Sequence, residues 1–191
     1  MSKARAKKIK LLLLDVDGVM TDGKIFLFPM PAAKGEEPLA IEAKGFHAHD
    51  GTAFSLARLG GLRTGIITKR NSETVRLRAR DLKIPHVYQG TGDKLSAFRE
   101  ILAKEKLAPE EAAYVGDDII DLPVMRACGL AFAVANAREE VKDEAHVITD
   151  HRGGEGAVRD AVEYILKAQG SLERCVTAYI SPDTPVEAKR Q

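Results

Sequence analysis

The chain lacks most of what marks specialised protein classes. Among its 191 residues are two cysteines, Cys128 and Cys175, far apart and in no metal-like pair. That excludes a disulfide scaffold and suits a reducing compartment, with both expected to be inert thiols. The formal net charge is only +1, so nothing argues for nucleic acid or an anionic membrane as partner. No apolar run approaches the length of a membrane span. The basic stretch Met1–Lys10 has no apolar segment of the signal-peptide kind and is expected to be a frayed, solvated arm. The expected location is the cytoplasm. There is no internal repeat and no low-complexity tract. What remains, 45% hydrophobic and 30% charged residues, describes an ordinary globule with material for one core. One domain over residues 1–170 is expected, with a hairpin insertion at about 24–44 and a tail at 171–191 that loses periodicity.

One stretch organises the rest: Leu11-Leu12-Leu13-Leu14-Asp15-Val16-Asp17-Gly18-Val19-Met20-Thr21-Asp22-Gly23. Four leucines without helical alternation predict a short strand buried on both faces, the centre of a parallel sheet. The strand delivers Asp15 and Asp17 to its carboxyl end, where open α/β sheets bind ligands. Two like charges there repel and lose solvation unless a cation or a proton joins them. A hard divalent ion with oxygen ligands resolves both problems, and Mg²⁺ is the usual choice beside phosphate. For the pair alone, a simple turn before Gly18 is the competing explanation.

Further strand ends add to the set. Lys24–Phe28 and Leu39–Ala43, separated by Pro and Gly, predict a hairpin that must lean on another surface, such as another subunit. Thr52–Gly60 predicts a helix with Asp50 as its N-cap. His47 and His49 share a side at strand spacing, but no third metal ligand follows at a familiar interval, so they are expected as polar edge residues. Leu62–Thr68 predicts a strand ending in a threonine just before a helix capped by Asn71 or Ser72, a good place to bind a phosphoryl oxygen. A third short strand, Pro85–Gln89, precedes an amphipathic helix that begins at Lys94, where the macrodipole disfavours a cation; service to an anion accounts for it. Ala112–Gly116 predicts a strand ending in Asp117, Asp118 and, at helical spacing, Asp121. Capping explains one of these aspartates but not three. With two more strands, Leu130–Ala135 and His146–Thr149, and helices over Asn136–Glu144 and Gly156–Gln169, the β-α-β order predicts an α/β fold with a doubly wound parallel sheet.

The ordered set resembles the haloacid dehalogenase superfamily: D-V-D-G-V at Asp15–Val19, then Thr68, Lys94, and G-D-D-x-x-D at Gly116–Asp121. The match spans residues 9 to 168. Longer stretches, among them A-Y-V-G-D-D-x-x-D-L-P-V-M and G-G-x-G-A-V-R, resemble the 3-deoxy-D-manno-octulosonate 8-phosphate phosphatase family, a capless, Mg²⁺-dependent, tetrameric branch. The resemblance implies phosphomonoester hydrolysis in lipopolysaccharide biosynthesis. Asp15 is the implied nucleophile and Asp17 the proton donor and later base, its backbone carbonyl also on the metal. Thr68 and Lys94 hold the phosphoryl group. Asp117 ligates Mg²⁺, Asp118 ligates or supports it, and Asp121 orients Lys94. Arg70 and Arg78 are candidates for the substrate carboxylate, although Arg78 lies in an Arg-rich helix that reads equally as a solvated face. The hairpin is implied to build a homotetramer in which a neighbour helps close each site.

Two features depart from the family pattern. Thr68-Lys69-Arg70 stands where T-G-R is common, and the hairpin loop Phe28–Pro38 is longer than expected. Both leave the sugar open, so a phosphatase for a nine-carbon keto-sugar acid phosphate, or a broad sugar phosphatase, is an alternative. A non-catalytic assembly module is the alternative from another class. Such a module should have lost some of Asp15, Asp17, Lys94 and Asp117, and all four are present.

Overall fold

The computed structural model describes residues 2–31 and 40–181. Its centre is a six-stranded parallel sheet built from β1 (Leu11–Leu14), β4 (Arg63–Ile67), β5 (His86–Tyr88), β6 (Ala112–Gly116), β7 (Leu130–Ala133) and β8 (Val147–Ile148), in the order β5-β4-β1-β6-β7-β8. A separate antiparallel ribbon joins β2 (Phe26–Pro29) to β3 (Ala40–Ala43), pairing Phe26 with Ala43. Of the loop Phe28–Pro38, where extra length is expected, residues 32–38 lie outside the described residues.

The four leucines of β1 are fully buried because both neighbours, β4 and β6, pair with it and helices cover both faces. The helices are α2 (Ala48–Leu59), α3 (Glu73–Asp81), α4 (Lys94–Glu105), α5 (Leu122–Ala127), α6 (Glu139–Glu144), α7 (Ala157–Ala168) and α8 (Leu172–Ile180), after a short α1 (Ser2–Ala6). The chain runs outward from β1 to β4 and β5, then crosses back to β6 and runs outward the other way. The order of strands therefore reverses between β1 and β6, which opens a crevice at their carboxyl ends.

Three sequence expectations are corrected. The N-terminal arm is a helical turn, not a solvated strand of chain: Ala6 and Ile9 are buried, Arg5 donates to the Gly129 carbonyl (2.8 Å), and Gln169 donates to the Ile9 carbonyl (2.7 Å). The segment after Gly170 is not aperiodic. Leu172, Cys175 and Val176, three and four residues apart, form a stripe that packs on the core, with Cys175 buried. Residues 182–191 lie outside the described residues. Asp50 does not cap its own helix, which begins earlier after His47; its buried carboxylate accepts the Arg159 N–H (2.9 Å) in the first turn of α7. The residue preceding α7 is Gly156, which has no side chain to cap with, so Asp50 supplies the cap from α2. Ser72, the second of the two candidates, caps α3 by accepting the Val75 N–H.

The loop 151–156 presses on the loop after β1. Gly154 N–H donates to the Val19 carbonyl (2.9 Å), and Gly153 is anchored by the Asn136 side chain (2.8 Å). A Cβ at Gly153 would overlap the Gly18 carbonyl oxygen, a backbone atom that cannot swing aside. Gly153→Ala is therefore expected to destabilise the fold by about 1–3 kcal/mol and to displace the Asp17–Gly18 turn. A denaturation midpoint equal to that of the wild type would contradict this packing.

Candidate active site

The crevice holds a buried ionic cluster drawn from three strand ends. Asp15 follows β1 directly; its N–H donates to the Val115 carbonyl (3.1 Å), and its Oδ1 accepts the Val16 N–H (2.7 Å). Its Oδ2 lies 2.9 Å from Lys94 Nζ. Lys94 opens α4, is buried, and places the same Nζ 2.7 Å from Asp121 Oδ1. The lysine that is misplaced for the macrodipole is thus held between two carboxylates. Burial lowers its pKa, but Asp15 and Asp121 outweigh burial and the net direction is up.

Asp121 is fully buried and fully engaged. Its Oδ1 also accepts the Tyr114 hydroxyl (2.7 Å), and its Oδ2 accepts the Asp117 N–H (3.0 Å) and more weakly that of Asp118 (3.4 Å). Burial, followed by the charges of Asp121 and Asp15, pushes the Tyr114 phenol well above its ordinary value, so it stays a neutral donor.

Asp117 is different. Its Oδ1 is buried with no hydrogen-bond partner among the described residues. Burial first, then the negative charges of Asp121, Asp15 and Asp118, raises its pKa to about 8. Asp15 is raised to about 6, by burial and then by Asp121, against the opposing pull of Lys94. Gly18, at φ +91°, lines the same space: a Cβ there would overlap Asp117 Oδ2, so only glycine leaves room for that carboxylate.

Oxygens of Asp15, Asp117 and Asp121 lie within 4.8 Å of one another. Three carboxylates face one ammonium, and one carboxylate oxygen is orphaned. A divalent cation with oxygen ligands fits that deficit. Asp121 has spent its oxygens on Lys94, Tyr114 and two backbone N–H groups, so Asp15 and Asp117 are the carboxylates left to meet an ion. Asp118 is not brought into the cluster. It is exposed, and its Oδ1 accepts the Ile119 N–H (2.7 Å) at the start of a 3₁₀ turn, Ile119–Asp121.

The other expected residues divide. Thr68 ends the path of β4 in a buried position, its N–H donating to the Tyr88 carbonyl (2.9 Å). Asp17 stands at the rim with its side chain 20% exposed, and Arg70, 43% exposed, places Nε 3.7 Å from Asp17 Oδ2. Arg78 is not brought to this rim. Its guanidinium carbon sits 5.6 Å from the Phe46 ring centroid, with Nη2 against Gly51. Lys69 is exposed. His47 and His49 meet edge to face at 4.7 Å and belong to no three-ligand group among the described residues.

Three contributors were not read from the sequence. Tyr114 carried a faint signal, a polar tip in an otherwise apolar strand. Glu42 and Lys44, two apart on β3 and just beyond it, share one side of the ribbon and reach Asp17 and Arg70. That alternation was visible, but its target was not.

A crevice of this kind, with a strand-end aspartate, a buried lysine and an acidic 3₁₀ turn, defines a phosphoryl-transfer hydrolase of the haloacid dehalogenase type. The sequence model of the haloacid dehalogenase-like hydrolases matches residues 66–161. Over 169 residues the chain is 43% identical to the 3-deoxy-D-manno-octulosonate 8-phosphate phosphatase KdsC of Yersinia pestis, covering 88% of this chain and 86% of that one. The crystal structure of the Yersinia pestis phosphatase superposes with a TM-score of 0.83 at 41% identity, covering 90% of this chain and 88% of that one. The Moraxella catarrhalis phosphatase, solved in complex with magnesium ion, phosphate ion and a KDO molecule, superposes with a TM-score of 0.84 at 36% identity, covering 93% and 97%. The chain belongs to the 3-deoxy-D-manno-octulosonate 8-phosphate phosphatase family.

The raised carboxylates make stability depend on pH and metal. Without metal, the folded state keeps protons on Asp15 and Asp117 that the unfolded chain releases near the ordinary aspartate value of 3.8. The folded state binds more protons in that window, so stability falls as pH rises. The melting temperature in chelator is expected to drop between about pH 5 and about pH 8, and Mg²⁺ to raise it more at the higher pH. Asp117→Asn should flatten both trends. A magnesium effect independent of pH would contradict the assignment.

Proposed function

We propose that the chain is a Mg²⁺-dependent phosphomonoesterase that hydrolyses 3-deoxy-D-manno-octulosonate 8-phosphate to the free sugar acid and phosphate, a step of lipopolysaccharide biosynthesis. The observation that carries the reading is the Asp15–Lys94–Asp121 triad beside the orphaned Asp117 oxygen, in a chain with 43% identity to phosphatases of that substrate. Phosphate monoesters hydrolyse very slowly unaided, so charge and position must supply most of the acceleration.

Asp15 is the nucleophile. Its carboxylate attacks phosphorus and gives an aspartyl-phosphate, which water then hydrolyses. Lys94, already 2.9 Å from Asp15, is within reach of a phosphoryl oxygen arriving there, and Asp121 with Tyr114 holds it in place. Thr68, on the neighbouring strand, binds a second phosphoryl oxygen. Asp17 protonates the leaving sugar oxygen and then takes a proton from the attacking water. Arg70 at the rim suits a bidentate grip on the sugar-acid carboxylate. Asp15, Asp117 and the Asp17 backbone carbonyl would hold Mg²⁺. The ion, when bound, offsets the repulsion between two anions that must approach each other. Asp118 would act through the turn it caps.

No helix among the described residues is long and apolar enough to cross a membrane, and the proposed location is the cytoplasm. The ribbon exposes Phe26 (50%), Leu27 (59%), Phe28 (55%) and Ile41 (55%), apolar surface that a homotetramer built on the hairpin would cover. Replacing Leu27 and Phe28 by lysine is expected to give a smaller assembly by light scattering. An unchanged mass would sink the hairpin as the assembly element.

The function is tested by phosphate release from the octulosonate 8-phosphate, a nine-carbon analogue and glucose 6-phosphate. Strong preference for the first is expected, lost on chelation, with Asp15→Asn lowering turnover by about 10⁴-fold or more. Even activity across the three esters would leave the chemistry and overturn the substrate.

A further inference from the structure

Lys44 comes from the end of an exposed ribbon, yet its side chain has no accessible surface. A buried ammonium must be met by anions. It contacts Asp17 Oδ1 directly and lies 3.8 Å from Glu42 Oε1. Glu42 in turn holds Arg70 Nη2 at 3.0 Å, and Arg70 faces Asp17 Oδ2. Four alternating charges, Lys44, Asp17, Arg70 and Glu42, thus close a ring.

The ring is anchored at the start of α3. Ser72 Oγ donates to Glu42 Oε1, and Thr74 Oγ1 donates to the Glu42 carbonyl (3.1 Å). Burial alone would raise the Glu42 carboxyl, but the Ser72 bond, Arg70 and Lys44 hold it below the usual range.

We propose that Lys44 is a positioning residue that fixes the carboxyl orientation of Asp17 for proton transfer. The inference rests on the role given to Asp17 above. With no accessible surface, Lys44 acts through Asp17 and does not touch substrate. Its ammonium occupies Oδ1 and so sets the side-chain torsion. Oδ2 lies 3.7 Å from the nearest guanidinium nitrogen, beyond hydrogen-bond range, and is the oxygen left for the leaving group. As the ester P–O bond breaks, its electron pair stays on the sugar oxygen, which takes the proton from Oδ2. In the second half Oδ2 takes a proton from water while the water oxygen bonds phosphorus and the Asp15–phosphorus bond breaks.

The test compares leaving groups. A sugar alkoxide needs the proton, whereas p-nitrophenolate leaves without it, and kcat/KM reports only through the first phosphoryl transfer. Lys44→Met is expected to lower kcat/KM for the octulosonate 8-phosphate by about 10–100-fold and to change that for p-nitrophenyl phosphate by less than about threefold. Lys44→Arg should restore part of the loss, and Lys44→Met should add nothing in an Asp17→Asn background. Thermal unfolding of each variant checks the fold, and Lys44→Gln carries the same comparison if Lys44→Met does not fold. Equal loss on both esters, or a full additional loss in the Asp17→Asn background, overturns the role. If the wild type prefers another sugar phosphate, the substrate reading falls while the same comparison on that ester still decides Lys44. If no ester is hydrolysed in an Asp15-dependent way, the proposed function and this inference fall together.

Discussion

Three aspartates, Asp15, Asp117 and Asp121, sit within a few ångströms of each other, and one lysine is set among them. Mutual repulsion and lost solvation oppose this arrangement, and it persists because the surrounding structure over-determines it. Asp121 is satisfied by four donors and keeps Lys94 in place. Asp117 keeps an oxygen without a partner among the described residues, and burial followed by the neighbouring negative charges raises the pKa of both Asp15 and Asp117. That crowding is useful: it is the negative charge that a divalent cation and then a phosphoryl group are positioned against.

The sheet exists in this form to make that cluster possible. Parallel strands β1 and β6 deliver Asp15 and Asp117 side by side, and the reversal of strand order leaves the space above them open. Glycine completes the geometry where side chains would intrude, with Gly18 under the Asp117 carboxylate and Gly153 against the Gly18 carbonyl. The hairpin adds a second layer. Its apolar residues face outward, while its two charged residues turn inward to Asp17 and Arg70. One ribbon thus presents a surface suited to assembly and also closes the polar rim of its own site.

Much of this was legible in the residues. Leu11–Leu14 reads as a doubly buried strand, and two like charges placed immediately after it exceed what a turn before Gly18 needs once Thr68, Lys94 and the second acidic strand end are added. The same logic exposed Asp117 and Asp121. Signals failed where a residue's partner lies far away in sequence. Asp50 looks like the cap of its own helix, but it caps α7, more than a hundred residues later. Arg70 and Arg78 look equivalent, eight residues apart near one helix, yet only Arg70 stays at the rim while Arg78 folds over Phe46. The stripe of Leu172, Cys175 and Val176 was present in the tail but too short to stand out without the surface of α2 to receive it.

The sequence by itself determined the parallel α/β architecture, the strand-end carboxylates and the chemistry they imply. Hydrophobic periodicity and charge at a strand terminus are local properties, readable over five to ten residues. The tertiary structure alone decided which carboxylates remain unpaired, that Asp118 caps a turn instead of meeting the cluster, and that Lys44 reaches Asp17. Those outcomes depend on distances between segments, and a charge finds its partner only when the sheet and the hairpin have been brought together.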